Sequence, residues 1–337
     1  MGTEAEPQSK VNNNPIYPKK PIEENTWGDF IWNSRTGQVF GRTGTSWAKI
    51  FIFYVVFYAG LAAFAGLCYY LFSLTLRLDQ PKWILGDSII GTNPGVGFRP
   101  MPDQEENSGS SLIWYRRENE ADAAVWYNQL ANYTDAIENP EEVDSLQTCS
   151  YDNGLRATEI KSCFVDTKQF GTCNKNNAFG YRSGEPCFLI KLNRIFGWEP
   201  EPFGLNKRGQ YDPDLLLEDL DRQKNLPDSL RKYITDGVKS NIDPSKFLDT
   251  IWISCTGENV NDKETLGPVN YWPRPGIPGY FFPYYKQLGY QSPFIFVQFL
   301  KPLTSVLINI ECRAWAKNII YDKIDRLGSV HFELMID

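Results

Sequence analysis

Ile50 to Phe72 reads IFIFYVVFYAGLAAFAGLCYYLF, twenty-three residues without a charged side chain, and the uncharged run continues through Ser73–Leu76 before Arg77. A helix of that length measures about 35 Å, enough to cross a hydrocarbon core of about 30 Å. The run therefore predicts a membrane helix over 47–76, entered through a turn at Gly41–Gly44 and capped by Thr45 or Ser46. It is too long for the apolar region of a cleaved signal, and no small-residue cleavage pattern follows it. Glu6 breaks the myristoylation pattern that Gly2 would otherwise open.

The membrane helix divides the remaining residues into unequal parts. The segment before Ile50 carries six Lys or Arg against five Asp or Glu, and residues 77–337 carry 28 against 36. That acidic larger part excludes nucleic acid as a partner, because a phosphate backbone requires a basic surface. Arg35, Arg42 and Lys49 precede the apolar run, whereas Arg77 and Lys82 follow it mixed with Asp79 and Asp87. By the positive-inside rule this places 1–46 in the cytosol and 77–337 outside, the type II orientation.

The cysteines agree with that orientation. Cys68 lies within the apolar run, and Cys149, Cys163, Cys173, Cys187, Cys255 and Cys312 all lie after it. An even set confined to one side fits disulfides formed in an oxidising compartment. Zinc would require closer Cys or His pairs, yet there is no CxxC and His331 is the single histidine. Asn132-Tyr133-Thr134, the one N-glycosylation acceptor pattern, falls on the same side.

Residues 1–25, rich in Asn, Pro, Glu and Lys, offer little to bury and are expected to be disordered. Trp27–Phe40 concentrates aromatic residues just before the membrane, as an interfacial or turn-rich segment would. Within the apolar helix, Tyr54 and Tyr58 share one face, and Ala59 with Ala63, Ala62 with Gly66, and Gly60 between them permit close approach of another helix. A phenol hydroxyl at that depth needs an acceptor that lipid cannot supply, so Tyr54 and Tyr58 read as a helix-packing face.

Repeated Gly and Pro between Arg77 and Pro102 predict irregular chain. Ala121–Ala136 has helical spacing, with Val125, Leu130 and Tyr133 toward one side; Asp212–Gln223 and Pro227–Asp236 are shorter candidates, with Asp212 as cap. Strands are expected over Cys187–Phe196, Thr250–Cys255, Phe294–Leu300, Thr304–Ala314 and Val330–Ile336. The last two alternate with period two, so each has an apolar face that two antiparallel sheets packed together would bury. A mainly β domain with large insertions follows, and its final strand ends one residue before the C-terminus.

Little in the chain suggests catalysis. Asp212-Pro213-Asp214 and Asp219-Leu220-Asp221 resemble the Asp-x-Asp pair that holds a metal in glycosyltransferases. Neither follows an apolar strand, and both suit a helix start and its solvated face. No GxGxxG, GxSxG or HExxH motif occurs, and His331 reads as an outward-facing strand residue. No metal or cofactor is expected. The better functional candidate is contact surface: Tyr271–Tyr290, dense in aromatic residues and stiffened by four prolines, reads as an exposed binding loop.

A series of short motifs in fixed order resembles the beta subunit of the animal P-type cation pumps, most closely that of the sodium/potassium-transporting ATPase. Before and within the apolar run they are Phe30-Ile31-Trp32-Asn33-Ser34, Gly41-Arg42-Thr43-Gly44 with Ser46-Trp47, and Phe53-Tyr54-Val55-Val56-Phe57-Tyr58. Beyond it they are Phe179-Gly180-Tyr181 with Gly184 and Pro186-Cys187, Lys191-Leu192-Asn193-Arg194, Cys255-Thr256-Gly257, Pro283-Tyr284-Tyr285, Val297-Gln298-Phe299, Ile310-Glu311-Cys312, and Asn318-Ile319 with Tyr321.

The resemblance implies an immunoglobulin-like sandwich with insertions and the pairings Cys149 with Cys163, Cys173 with Cys187 and Cys255 with Cys312. It implies a non-catalytic plasma-membrane subunit that lets a catalytic alpha subunit fold, reach the cell surface and persist, and that tunes potassium handling. Tyr54 and Tyr58 would then meet alpha-subunit helices, and Phe281, Phe282, Tyr284 and Tyr285 an extracellular alpha loop. A small single-pass regulatory subunit is a further partner the resemblance admits, and a pump-independent adhesion or junction role is the alternative within the family. Two positions depart from the family pattern: Lys286 stands where many relatives have Gly after Pro-Tyr-Tyr, and Gly60 where some carry a membrane cysteine.

Overall fold

The computed structural model describes residues 27–77, 80–103 and 109–337, so the expected disorder of 1–25 and the flanking Asp79 lie outside the described residues. The chain forms two compact units, Met1–Arg77 and Leu78–Asp337.

In the first unit, helix α1 (Trp27–Ile31) leads into a hairpin of β1 (Trp32–Asn33) and β2 (Gln38–Val39). The Asn33 carboxamide oxygen accepts from the Arg35 and Thr36 amides at 3.1 and 3.2 Å, which builds the turn. Helix α2 (Gly44–Ser73) follows. It starts before the Thr45 or Ser46 cap read from sequence: Thr43 is the cap residue, and its side chain makes no capping bond. Trp47 instead fastens the helix to the hairpin, its indole N–H donating to the Val39 carbonyl at 2.9 Å. Of the described residues, α2 is the one helix long and apolar enough to cross a membrane, and none of its side chains is buried.

The second unit runs through β3 (Val96–Arg99), β4 (Leu112–Tyr115), α3 (Glu120–Glu138), β5 (Leu146–Gln147), β6 (Ser162–Cys163) and β7 (Cys187–Leu192). An insertion of three helices, α4 (Pro213–Arg222), α5 (Asp228–Ser240) and α6 (Pro244–Leu248), precedes β8 (Thr250–Gly257). The chain closes with α7 (Val260–Thr265), β9 (Val269–Trp272), β10 (Gly276–Pro278), β11 (Phe294–Phe299), β12 (Ile308–Trp315) and β13 (Ser329–Ile336). One sheet has the order β10-β8-β12-β13-β4 and the other β3-β7-β11-β9. All pairs in the two are antiparallel except β13 with β4, which the expectation of purely antiparallel sheets missed.

The inner faces meet through aromatic rings. Phe332 of β13 stacks on Phe98 of β3 at 4.7 Å and on Phe188 of β7 at 4.6 Å, and Phe299 of β11 packs beside Phe188. The outer faces are covered as well, which explains why β8 and β11 read as continuous apolar runs rather than alternating ones. On the five-stranded sheet, Trp252 and Trp315 turn outward beneath Leu216, Leu220, Leu230 and Ile234 of the helical insertion. On the four-stranded sheet, Phe294 packs against Phe170 at 4.9 Å and Tyr133 of α3 at 5.7 Å.

Disulfides join Cys149 to Cys163, Cys173 to Cys187, and Cys255 to Cys312. The last pair stands directly opposite in the β8–β12 register and closes a separation of 57 residues. Loop-closure entropy alone would make such a bridge worth about 4 kcal/mol.

Two sequence expectations are corrected. Val125 faces solvent, because the buried side of α3 is Ala123, Leu130, Thr134 and Ile137, and a residue five positions before Leu130 lies well around the helix. His331 lies on the polar face of β13 but is not free in solvent. Its Nδ1 is 2.6 Å from a Glu258 carboxylate oxygen, and only 13% of its side chain remains exposed.

Phe332→Ala should destabilise the second unit by about 3–5 kcal/mol, and Phe332→Leu by less. Deleting the last six residues, which removes most of a strand flanked on both sides, should prevent folding. Urea unfolding of the full chain in mild detergent, read by protease resistance, checks both; a truncated chain as resistant as the wild type would contradict the strand's central role.

Candidate partner-binding surfaces

In α2 the Tyr54 and Tyr58 rings stack at 5.9 Å, and a parallel pair, Phe53 and Phe57, stacks at 6.1 Å along the adjoining stripe. All four are exposed, and a Cβ added at Gly60 or Gly66 would meet nothing. The helix thus presents a ridge of rings and positions where a second helix could approach closely. Cys68 is exposed on the same helix and unpaired.

The Tyr271–Tyr290 segment differs from the exposed loop expected of it. Its first part is strand: β9 hydrogen-bonds to β11, and β10 to β8. The Tyr271 hydroxyl accepts from the Cys255 amide at 2.9 Å, and burial pushes it up to about 12. Phe281 and Phe282, expected to dock against a partner, are core residues instead, each 7% exposed; Phe282 lies edge-on to Trp198. The physical reason is that the segment returns beneath Cys163 and Trp198, where two large apolar rings gain more by joining the core than by facing water.

Tyr284 and Tyr285 remain part-exposed, flanking Phe196 at 6.4 and 5.4 Å. The Tyr284 carbonyl accepts from Gly197, which ties the loop to the chain leaving β7. The residue that holds the turn was not legible beforehand. Gln287 is buried, its carboxamide accepting from the Tyr285 amide at 3.0 Å and donating to Thr158 and Pro283 carbonyls at 2.7 and 3.2 Å. Only a glutamine close behind the aromatic cluster hinted at it. Lys286 has φ +60°, so the family position that departs from Gly keeps the left-handed conformation Gly would adopt readily.

Asn132 is exposed on α3, whereas Thr134 of the same triplet is buried and donates its hydroxyl to the Leu130 and Ala131 carbonyls, each at 3.0 Å. Of the acidic triplets, Asp212 caps α4, accepting from Asp214 and Leu215 amides. Asp219 corrects the solvated-face reading: it is 2% exposed, accepts from the Gly204 amide at 2.9 Å and lies 3.6 Å from the Lys317 ammonium. Asp221 pairs with Arg231 instead. The two triplets therefore do not converge, and no cluster of three or more potential metal ligands occurs among the described residues.

The described residues thus combine one helix long and apolar enough to cross a membrane with a disulfide-bonded domain of two packed sheets. The family model described as the sodium/potassium ATPase beta chain matches residues 18–332, and the chain belongs to that family. It is 40% identical over 324 residues to sodium/potassium-transporting ATPase subunit beta-2 of Drosophila melanogaster, covering 95% of this chain and 94% of that one. Identity to subunit beta-1 of the same organism is 37% over 320 residues, covering 94% and 95%. A probable subunit beta-3 of Caenorhabditis briggsae is 32% identical over 321 residues, covering 94% and 88%.

Lys286→Gly should relieve the cost of a side chain at positive φ and stabilise the second unit by up to about 1 kcal/mol. Gln287→Leu should cost about 1–3 kcal/mol by stranding the groups it satisfies. Chemical unfolding of the two variants beside the wild type checks the pair; a destabilised Lys286→Gly would mean that the lysine side chain itself secures the turn.

Proposed function

We propose that this chain is the non-catalytic accessory subunit of a P-type sodium/potassium pump, required for folding, membrane delivery and stability of the catalytic alpha subunit, and modulating its potassium affinity. The observation that carries the reading is a helix of 30 residues with no buried side chain, bearing the stacked Tyr54–Tyr58 pair, in a chain of the beta family. Two mid-helix phenols do not find acceptors in lipid, but helices of a multi-span partner can provide them.

In this assembly residues 1–46 lie in the cytosol, the apolar helix crosses the plasma membrane once, and 77–337 form an extracellular immunoglobulin-like sandwich carrying the disulfides. Tyr284 and Tyr285 meet an extracellular loop of the alpha subunit, with Phe281 and Phe282 supporting them from within. Potassium handling responds because contacts that differ between pump conformations shift their balance; a difference of about 1 kcal/mol moves the ratio roughly fivefold.

Capture of the full chain from its native membrane in mild detergent should bring down a P-type ATPase alpha subunit in one-to-one ratio, identified by mass spectrometry. Absence of an ATPase under conditions that preserve a known pump would sink the reading in favour of adhesion. Changing Tyr54 and Tyr58 together to Leu should leave the second unit folded yet lower complex yield or shift potassium activation. Unchanged values for both would remove the tyrosine face from the interface.

Asn132 is proposed to carry a glycan. The buried Thr134 hydroxyl is spent on the helix, so the acceptor triplet is accessible to the transferase only before α3 forms. Asn132→Gln should abolish a glycosidase-sensitive mobility shift while the protein still folds; an identical shift in the variant would exclude this site.

A further inference from the structure

Several cations in the second unit are neutralised across elements. Arg156 pairs with Asp249, Lys175 with Asp135 and Glu138, Arg182 with Glu120, and Lys317 with Asp219. Arg99, Lys191 and Arg194 lie near one another without such a partner: among the described residues, no carboxylate forms an ion pair with any of them.

Three tyrosine rings lie against these cations. Arg99 at the end of β3 and Lys191 in β7 each lie 5.3 Å from the centre of the Tyr133 ring. Arg194 lies 5.6 Å from the Tyr284 ring and 5.7 Å from that of Tyr290, which themselves pack at 4.6 Å. The placement is rigid, because Lys191 is fixed by pairing with Gly97 on one side and Phe294 on the other. Ring quadrupoles offset only part of the cost of crowding like charges. Arg99 also leaves its Nε buried without an acceptor. Burial, then the neighbouring Arg99 and Arg194, holds the Lys191 ammonium below its ordinary range, while burial raises the hydroxyls of Tyr133 and Tyr290. The phenols thus stay protonated as donors beside three positive groups, an arrangement suited to an anion.

We propose that Arg99, Lys191 and Arg194, framed by Tyr133, Tyr284 and Tyr290, form a docking site for carboxylate side chains of an acidic extracellular segment of the catalytic subunit. Charge complementarity and continuity with the part-exposed Tyr284–Tyr285 surface select this occupant; the site rests on the accessory-subunit reading and supplies its charged component. Crowded cations released from mutual repulsion by a partner's carboxylates would make the contact sensitive to salt.

The test uses the full chain co-expressed with its alpha subunit and purified as the complex. A carbodiimide, which joins an amine to a carboxylate at zero length, should link Lys191 to an Asp or Glu of the alpha chain, located by mass spectrometry. Lys191→Arg, which keeps the positive charge but offers no amine to the carbodiimide, should abolish that link. Arg194→Glu, at an exposed position, should weaken the complex about tenfold or more in a salt-titrated pull-down.

A complex that forms normally, with no Lys191 link although other lysines react and with Arg194→Glu as tight as wild type, overturns this proposal alone. Linkage of Lys191 to a carboxylate of its own chain does the same. Stabilisation of the isolated chain by inorganic phosphate, lost in Arg194→Glu and unaccompanied by any link to alpha, would assign a free-anion site and overturn the partner carboxylate. Failure of any ATPase to co-purify overturns both this proposal and the accessory-subunit reading.

Discussion

The contact on which the fold of the second unit depends is the stack of Phe332 against Phe98 and Phe188, because it is where the two sheets meet. Phe332 belongs to the last strand of the chain, yet that strand sits inside the five-stranded order, between β12 and β4. Neither sheet can bury its inner face until the C-terminus has arrived. The core is therefore non-local, and the loop-closing cost of such contacts must be met before they reward the chain. The disulfides act at different ranges against that cost. Cys149–Cys163 and Cys173–Cys187 each close a separation of 14 residues, whereas Cys255–Cys312 pins β12 to β8 and prepares the edge on which β13 adds.

Covering both outer faces has a functional consequence. With helices α4–α6 over one sheet and α3 over the other, the broad faces of the sheets are consumed by the fold, and association falls to loops and edges. On the proposed assembly the Tyr284–Tyr285 turn and the cations beside it are such a place. They are positioned by β3, β7 and the buried Gln287 rather than by the loop's own preferences, so a surface made of loop residues inherits the rigidity of the sheet. Rigid aromatic side chains lose little entropy on docking, which lets a small surface contribute measurably.

The legible parts of the fold were those where one physical term dominates. The uncharged run at Ile50–Phe72 admitted one solution, and β12 and β13 announced themselves by alternation, since each has one covered apolar face and one mixed face. The parallel β4 was missed because four residues between polar turns carry no periodic signal, and its partner is more than two hundred positions away. Burial of Phe281, Phe282 and Asp219 depends on what lies above them: apolar rings near prolines look the same in a loop or a core, and an acid after a helix start looks solvated until Lys317 and the Gly204 amide are brought to it. Chemistry at the candidate surface was half visible. Tyr54, Tyr58, Tyr284 and Tyr285 were identifiable by type, while the grouping of Arg99, Lys191 and Arg194 exists only once β3 and β7 are paired.

Placing two association surfaces on one chain changes what each must supply. On the proposed assembly, engagement of the Tyr54–Tyr58 face makes docking of the second unit an intramolecular step, and 22 residues between Ser73 and Val96 set its reach. Under that regime neither surface needs high affinity by itself, because the effective concentration created by the first contact replaces part of the binding free energy of the second. A modest, salt-dependent site of three cations would be a weak adhesive between free proteins. Tethered beside a pump that changes shape, the same site can bind one conformation better than another without locking either, which is the condition for tuning an ion-transport cycle rather than arresting it.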